Sequence, residues 1–118
     1  MGWYGTKLDF EKRNLINKKI GLLKEMAVTV AKIKEVVFQN AKLAKTINWN
    51  LLESNQMSSY PVLRDMMAEA DAKALDNPWQ FSNILTNVLE WIKMKIGELS
   101  QEREEMFEDK SKKKGLQP

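Results

Sequence analysis

The 118-residue sequence contains neither cysteine nor histidine. The missing cysteines exclude disulfide bonds and thiol nucleophiles, and the two absences together remove the usual zinc ligands. Histidine is also the commonest acid–base group at neutral pH, so we expect a protein without enzymatic activity and without a cofactor. Only five glycines and three prolines are present, too few for the many turns of an all-β protein.

Long apolar runs are missing as well. No stretch of 18 apolar residues occurs, so the sequence predicts no transmembrane helix, and its start lacks the apolar core of a signal peptide. A chain without cysteine also suits a reducing compartment, and we therefore expect a cytoplasmic protein. The composition, 43% hydrophobic and 30% charged, is that of a folded domain rather than of a disordered tail.

Helical periodicity is the strongest positive signal. Between residues 9 and 47 no proline occurs, and a seam of residues recurs at alternating steps of four and three, as in a coiled coil. This pattern predicts one long helix over residues 9–47. A kink near Gly21 or at the polar pair Gln39 and Asn40 would instead divide the segment and give a four-helix monomer. The seam consists of Ile16, Ile20, Leu23, Ala27, Val30, Lys34, Val37, Ala41 and Ala44.

Two further helices follow a connector over residues 48–59. A shorter helix is predicted over residues 60–75, because Pro61 suits the first helical turn. A second long helix is predicted over residues 78–109, with Asn77 as its N-cap and Gln80 completing a capping box. We expect Trp79 to pack at the corner between these two helices.

The sequence therefore predicts an all-α helical bundle, in which two long antiparallel helices pack with a shorter middle helix. We expect a single domain over residues 1–109 and a flexible basic tail over residues 110–118. Three helices of such unequal length cannot cover each other fully. Part of the two long apolar stripes should stay exposed, which favours self-association or docking onto a larger complex.

Charge is unevenly distributed along the chain. Residues 1–50 hold ten basic and four acidic residues, whereas residues 51–100 hold four and seven. Sixteen of the nineteen cations are lysines, which argues against sequence-specific base readout but leaves contacts to a nucleic acid backbone open. An ordinary solvated face is the competing interpretation. The candidate nucleic-acid-binding residues are Arg13, Lys18, Lys24, Lys32, Lys42, Lys112, Lys113 and Lys114.

The pattern as a whole predicts a non-enzymatic structural or interaction subunit of a larger assembly, which acts by helix–helix packing. Its partner would be a second copy or another protein. One alternative is a sequence-independent nucleic-acid-binding subunit, comparable in architecture only to small helical subunits of CRISPR effector complexes or to phage structural proteins. Another is a membrane-surface structural protein, which we do not favour. The candidate protein-interface residues are Trp3, Tyr4, Leu22, Met26, Ile33, Val36 and Trp91.

Overall fold

A computed structural model describes the backbone of residues 6–115 and the side chains of residues 9–106. Helices fill nearly all of this range, which confirms the predicted all-α bundle. The elements are α1 (Thr6–Val36), α2 (Ala41–Leu52), a 3₁₀ turn (Asn55–Ser59), α3 (Pro61–Lys73) and α4 (Pro78–Gly115).

The first predicted helix is in fact two helices. α1 continues through Gly21 without a break and ends at Val36, whose carbonyl oxygen accepts hydrogen bonds from the backbone N–H groups of Gln39 and Asn40. The Asn40 side chain then accepts a hydrogen bond of 3.0 Å from the N–H of Leu43 and caps α2. The break therefore lies at the polar pair Gln39 and Asn40, and the prediction of a single helix over residues 9–47 is wrong.

The remaining boundaries follow the sequence closely, with two extensions. α4 begins at Pro78, and the N–H of Gln80 donates to the Asn77 side chain at 3.1 Å, as the capping box predicts. α2 continues as far as Leu52, into the expected connector. The backbone of α4 is helical as far as Gly115, so its end lies beyond the predicted position at residue 109, within the segment assigned to a tail.

α1 and α4 pack against each other in antiparallel orientation along most of their length. At one end of this pair the ring centres of Phe38 and Trp79 lie 4.6 Å apart. Near the other end the Arg103 guanidinium donates a hydrogen bond of 2.6 Å to the side-chain oxygen of Asn17. The molecule measures 62 × 26 × 20 Å, with a radius of gyration of 18.6 Å. A compact domain of this length would have about 13–14 Å, so the chain forms an elongated rod.

The rod has two parts, because α2 and α3 are much shorter than the helices on which they pack. We call the four-helix part the head. The two-helix part, which consists of α1 residues 6–22 and α4 residues 95–115, is the stalk. At 1.5 Å per residue the stalk is roughly 25–30 Å long. Its seam is narrow, with Ile16, Ile20 and Leu99 buried between the two helices.

One row along α1 changes character where the head ends. Residues 12, 19, 26 and 33 are spaced seven apart and share one side of the helix. Met26 and Ile33, in the head, are buried, whereas Lys12 and Lys19, in the stalk, are exposed. The row is therefore apolar where other helices cover it and cationic where water does.

α4 carries a matching row at residues 81, 88, 95 and 102. Phe81 and Val88 are fully buried in the head, whereas Lys95 is half-exposed and Glu102 is exposed. Because both rows change at the same level of the rod, the sequence itself specifies four helices in the head and two in the stalk.

A polar cluster joins α2 to α3 inside the head. The Lys45 ammonium lies 2.7 Å from a carboxylate oxygen of Asp71. The fully buried Asn48 amide donates to the Met67 carbonyl at 3.2 Å and to the other Asp71 oxygen at 3.3 Å. Such directional bonds fix how α2 and α3 align, which apolar contacts alone do poorly.

Candidate protein-interaction surface

The long apolar stripes do not supply the exposed surface that the sequence led us to expect. Met26 and Ile33 are buried in the head core, so their assignment to a protein interface is wrong. Leu22 and Val36 are half-buried. The stripes of α1 and α4 are satisfied within the chain because α2 and α3 cover them in the head and the two helices cover each other in the stalk.

Four of the ten exposed large apolar side chains among the described residues lie at the blunt end of the head. The other six are distributed along the rod: Phe10, Leu15, Val28, Trp49, Val62 and Met94. The blunt end, which we call the tip, is formed by the α1–α2 turn over residues 37–40 and the α3–α4 turn over residues 74–77. Trp79 is 72% exposed and Phe38 53%, although their rings touch. Leu75 and Leu43, at the same end, are 51% and 46% exposed.

The tip residues were not among the predicted interface residues. Trp79 lies in the first turn of α4, next to the corner between α3 and α4, and its ring contacts Phe38 across the end of the head. A usable signal was present, because each turn signal is flanked by a bulky apolar residue. Phe38 precedes the polar pair that ends α1, and Trp79 follows the Asn-Pro pair that starts α4.

Trp91, a predicted interface residue, lies where head meets stalk. Its ring packs edge-on against Tyr60 at 5.6 Å and remains half-exposed. Burial raises the pKa of the Tyr60 hydroxyl above its usual value of 10.0. The two rings line a groove of about 510 Å³, open towards Lys19 and Glu102 of the stalk. The lining of this groove therefore combines apolar and aromatic side chains of the head with charged side chains of the stalk.

A second groove, of about 540 Å³, lies on the outer side of α2 and α3. Trp49, 47% exposed, and Leu52 form one wall, and Arg64 with Ala68 forms the other. Tryptophan and arginine are the residues most enriched in binding hot spots. Trp49 is thus a second exposed tryptophan, on a different face from the tip.

The predicted basic face is divided by the fold. Lys18, Lys24 and Lys32 are exposed on α1. Arg13 is half-buried, and Lys42 lies on α2, beyond the break, so it no longer continues the α1 row. The side chains of Lys112, Lys113 and Lys114, and both Trp3 and Tyr4, lie outside the described residues.

Metal-binding clusters and membrane-spanning helices are both absent from the described part of the chain. Among the side chains of residues 9–106, no group of three or more acidic residues comes together in a way that could hold a metal ion. None of the described helices combines the length and apolar character needed to cross a membrane.

Comparisons of the chain with protein-family models, with curated proteins and with solved structures each find no match.

Proposed function

We propose that this chain is a non-enzymatic structural subunit that acts through protein–protein contacts within a larger assembly. The observation that supports this function best is the tip, which brings four of the ten exposed large apolar side chains of the described residues to one end of the rod. Single exposed apolar residues are ordinary, but a clustered patch at one place indicates a contact surface.

The rest of the rod fits a spacer. Its 62 Å length and narrow cross-section place the apolar tip far from the charged stalk. A subunit with this shape contacts its partner at the tip, while the stalk presents rows of charged residues to water beside the exposed Phe10 and Leu15. In this arrangement the surface that binds a partner and the charged surface that favours solubility lie at opposite ends of the rod.

Sedimentation velocity at two protein concentrations and two salt levels, combined with binding of a hydrophobic dye, tests the proposal. We expect either a mass that rises with concentration or a monomer that binds the dye at the tip. The double variant Phe38→Ser/Trp79→Ser should lose that response, whereas the matched control Trp49→Ser should keep it. A monomer that binds no dye at any concentration would contradict an interaction role.

A second candidate function, contact with a nucleic acid backbone, is favoured by one observation. Lys18, Lys24 and Lys32 are all exposed on α1, and their positions span about 21 Å of helix. Glu25 interrupts them on the same helix, which weakens the case. Affinity for generic double-stranded DNA or RNA should then fall steeply with salt and should fall further in Lys18→Glu/Lys32→Glu. Salt-independent or absent binding would eliminate this candidate.

A further inference from the structure

We propose that the tip is a self-complementary surface that joins two copies of this chain end to end. This inference rests on the proposed function and names its partner as a second copy. It starts from the two turns that form the tip, from their exposed apolar side chains and from the charges beside them.

No described part of the chain covers the tip. Trp79 and Phe38 remain 72% and 53% exposed although their rings are in contact with each other. The described ends of α1 and α4, Thr6 and Gly115, lie at the far end of the stalk, roughly 45 and 55 Å from the tip.

The two turns carry matching apolar groups and opposite charges. Residues 37–43 contain Phe38, Leu43 and a single charged residue, Lys42. Residues 74–80 contain Leu75, Trp79 and a single charged residue, Asp76, so each turn together with the start of the helix that follows it supplies one aromatic ring, one leucine and one charge. A surface whose two halves complement each other in this way suits an isologous contact, in which a two-fold axis sets each half against the other.

The charges select one of the two ways in which the tips can meet. With the two-fold axis along the line that joins the turns, each turn faces its own copy and like charges oppose. With the axis perpendicular to that line, the α1–α2 turn of one copy faces the α3–α4 turn of the other. Lys42 of each copy then lies opposite Asp76 of the other copy, which gives two pairs of opposite charge, and the aromatic rings of the two copies meet at the centre.

The exposed area sets the strength of the contact. Four side chains at the stated exposures present on the order of 400–500 Å², so two tips bury on the order of 800–1,000 Å². That lies below the range of stable, specific interfaces and within the range of weak, reversible ones. We therefore expect a dimer that dissociates in the micromolar to millimolar range and adds to other contacts in an assembly.

The first experiment measures mass and length of the full chain up to about 1 mM. Sedimentation equilibrium should show a monomer–dimer equilibrium, and small-angle X-ray scattering should show a maximum dimension near twice the 62 Å of one copy. Trp79→Gln, which leaves the head core untouched, should weaken the dimer by about 30-fold or more. The matched control Trp49→Gln, another exposed tryptophan on α2, should leave it unchanged.

The second experiment tests the crossed orientation by charge exchange. Lys42→Glu alone and Asp76→Lys alone should each weaken self-association, because like charges then face each other. A mixture of the two variants should form heterodimers more readily than either forms homodimers, since both facing pairs become opposite in sign. Circular dichroism of each variant confirms that the helices persist.

Three results would overturn the inference. A monomer at 1 mM, a dimer no longer than one copy, or a dimer sensitive to Trp49→Gln but not to Trp79→Gln would each remove the tip-to-tip contact. A short dimer, or a dimer sensitive only to Trp49→Gln, would leave the proposed interaction function standing. A monomer at 1 mM that also binds no dye would remove both the tip-to-tip contact and the proposed interaction function. Binding to anionic vesicles that depends on Trp79, without dimerisation, would assign the tip to a membrane surface instead.

Discussion

Head and stalk are built from the same two long helices, yet they are held together differently. In the head, α1 and α4 are covered by α2 and α3, and the core includes fully buried side chains as large as Phe81 and Met67. Among the described residues, the two helices of the stalk pack mainly against each other, and their seam includes half-exposed Arg103 and Met106. A helix pair thus gains most of its stability from additional neighbours rather than from its own propensity.

The largest expected difference between the two parts comes from cavity formation. Phe81→Ala should lower the free energy of unfolding by about 3–5 kcal/mol, since four helices surround that ring. Leu99→Ala, in the stalk, should lower it by about 2 kcal/mol or less, because the exposed side of the seam relaxes into solvent. Urea unfolding followed by far-ultraviolet circular dichroism measures both, and equal losses would contradict the division into head and stalk.

A second comparison concerns the polar cluster of the head. Asp71→Ala leaves the buried Asn48 amide and the Lys45 ammonium without this carboxylate, and should lower the free energy of unfolding by about 1–3 kcal/mol. Most of that loss belongs to Asn48, because Lys45 is partly exposed and screened by water. Asp71→Asn keeps an acceptor for Asn48 and should lose less in the same urea titration. If Asp71→Ala left the free energy of unfolding unchanged, apolar packing alone would be sufficient to join α2 to α3.

The stalk has its own polar contact, between Arg103 and Asn17. Replacing this contact by an apolar one should raise stability, whereas removing the polar cluster of the head lowers it. Arg103 occupies a seam position, where a polar residue fixes register at the expense of stability. Arg103→Leu should therefore stabilise the stalk by under about 1 kcal/mol. Slower amide hydrogen exchange in residues 96–106, with unchanged exchange in the head, is the expected result. Faster exchange in the stalk would show that the hydrogen bond outweighs apolar packing there.

The smallest expected effect lies at the boundary between the two parts. Burial raises the pKa of the Tyr60 hydroxyl above 10.0, so the unfolded chain releases this proton first as the pH rises. The contribution of Tyr60 to stability is complete below pH 10 and is lost as the pH rises through the pKa of the folded state. Trp91→Leu, which removes the ring against Tyr60, should move that pKa back towards 10.0 in an absorbance titration at 295 nm. An unchanged pKa would show that Trp91 does not desolvate the hydroxyl.

Local signals in the sequence were sufficient for most of the architecture. Asn77, Pro78 and Gln80 fix the start of α4 through contacts within four residues, which sequence reasoning can see directly. The break after α1 was left open because neither Gly nor Pro marks it. The side chain of Asn40 caps α2, but an asparagine at the edge of a helical pattern also occurs inside long helices.

The interaction surface was harder to predict because it depends on distant parts of the chain. Phe38 and Trp79 are 41 positions apart in sequence and meet only after α1 has turned back into α2 and α3 has turned into α4. Met26 and Ile33 were assigned to an interface because they extend an apolar row that a single long helix would leave uncovered. Once α1 ends at Val36, that row faces the inside of the head.

The change from apolar to charged residues along α1 and α4 also determines how long the short helices can be. A further turn added to the start of α3 would have to pack on Lys95 and Glu102, and burying those groups without partners is unfavourable. The number of helices at each level of the rod is thus limited by the charged residues of α1 and α4, and not by the turn residues alone. The same charges disfavour a further helix packed on these two rows of the stalk.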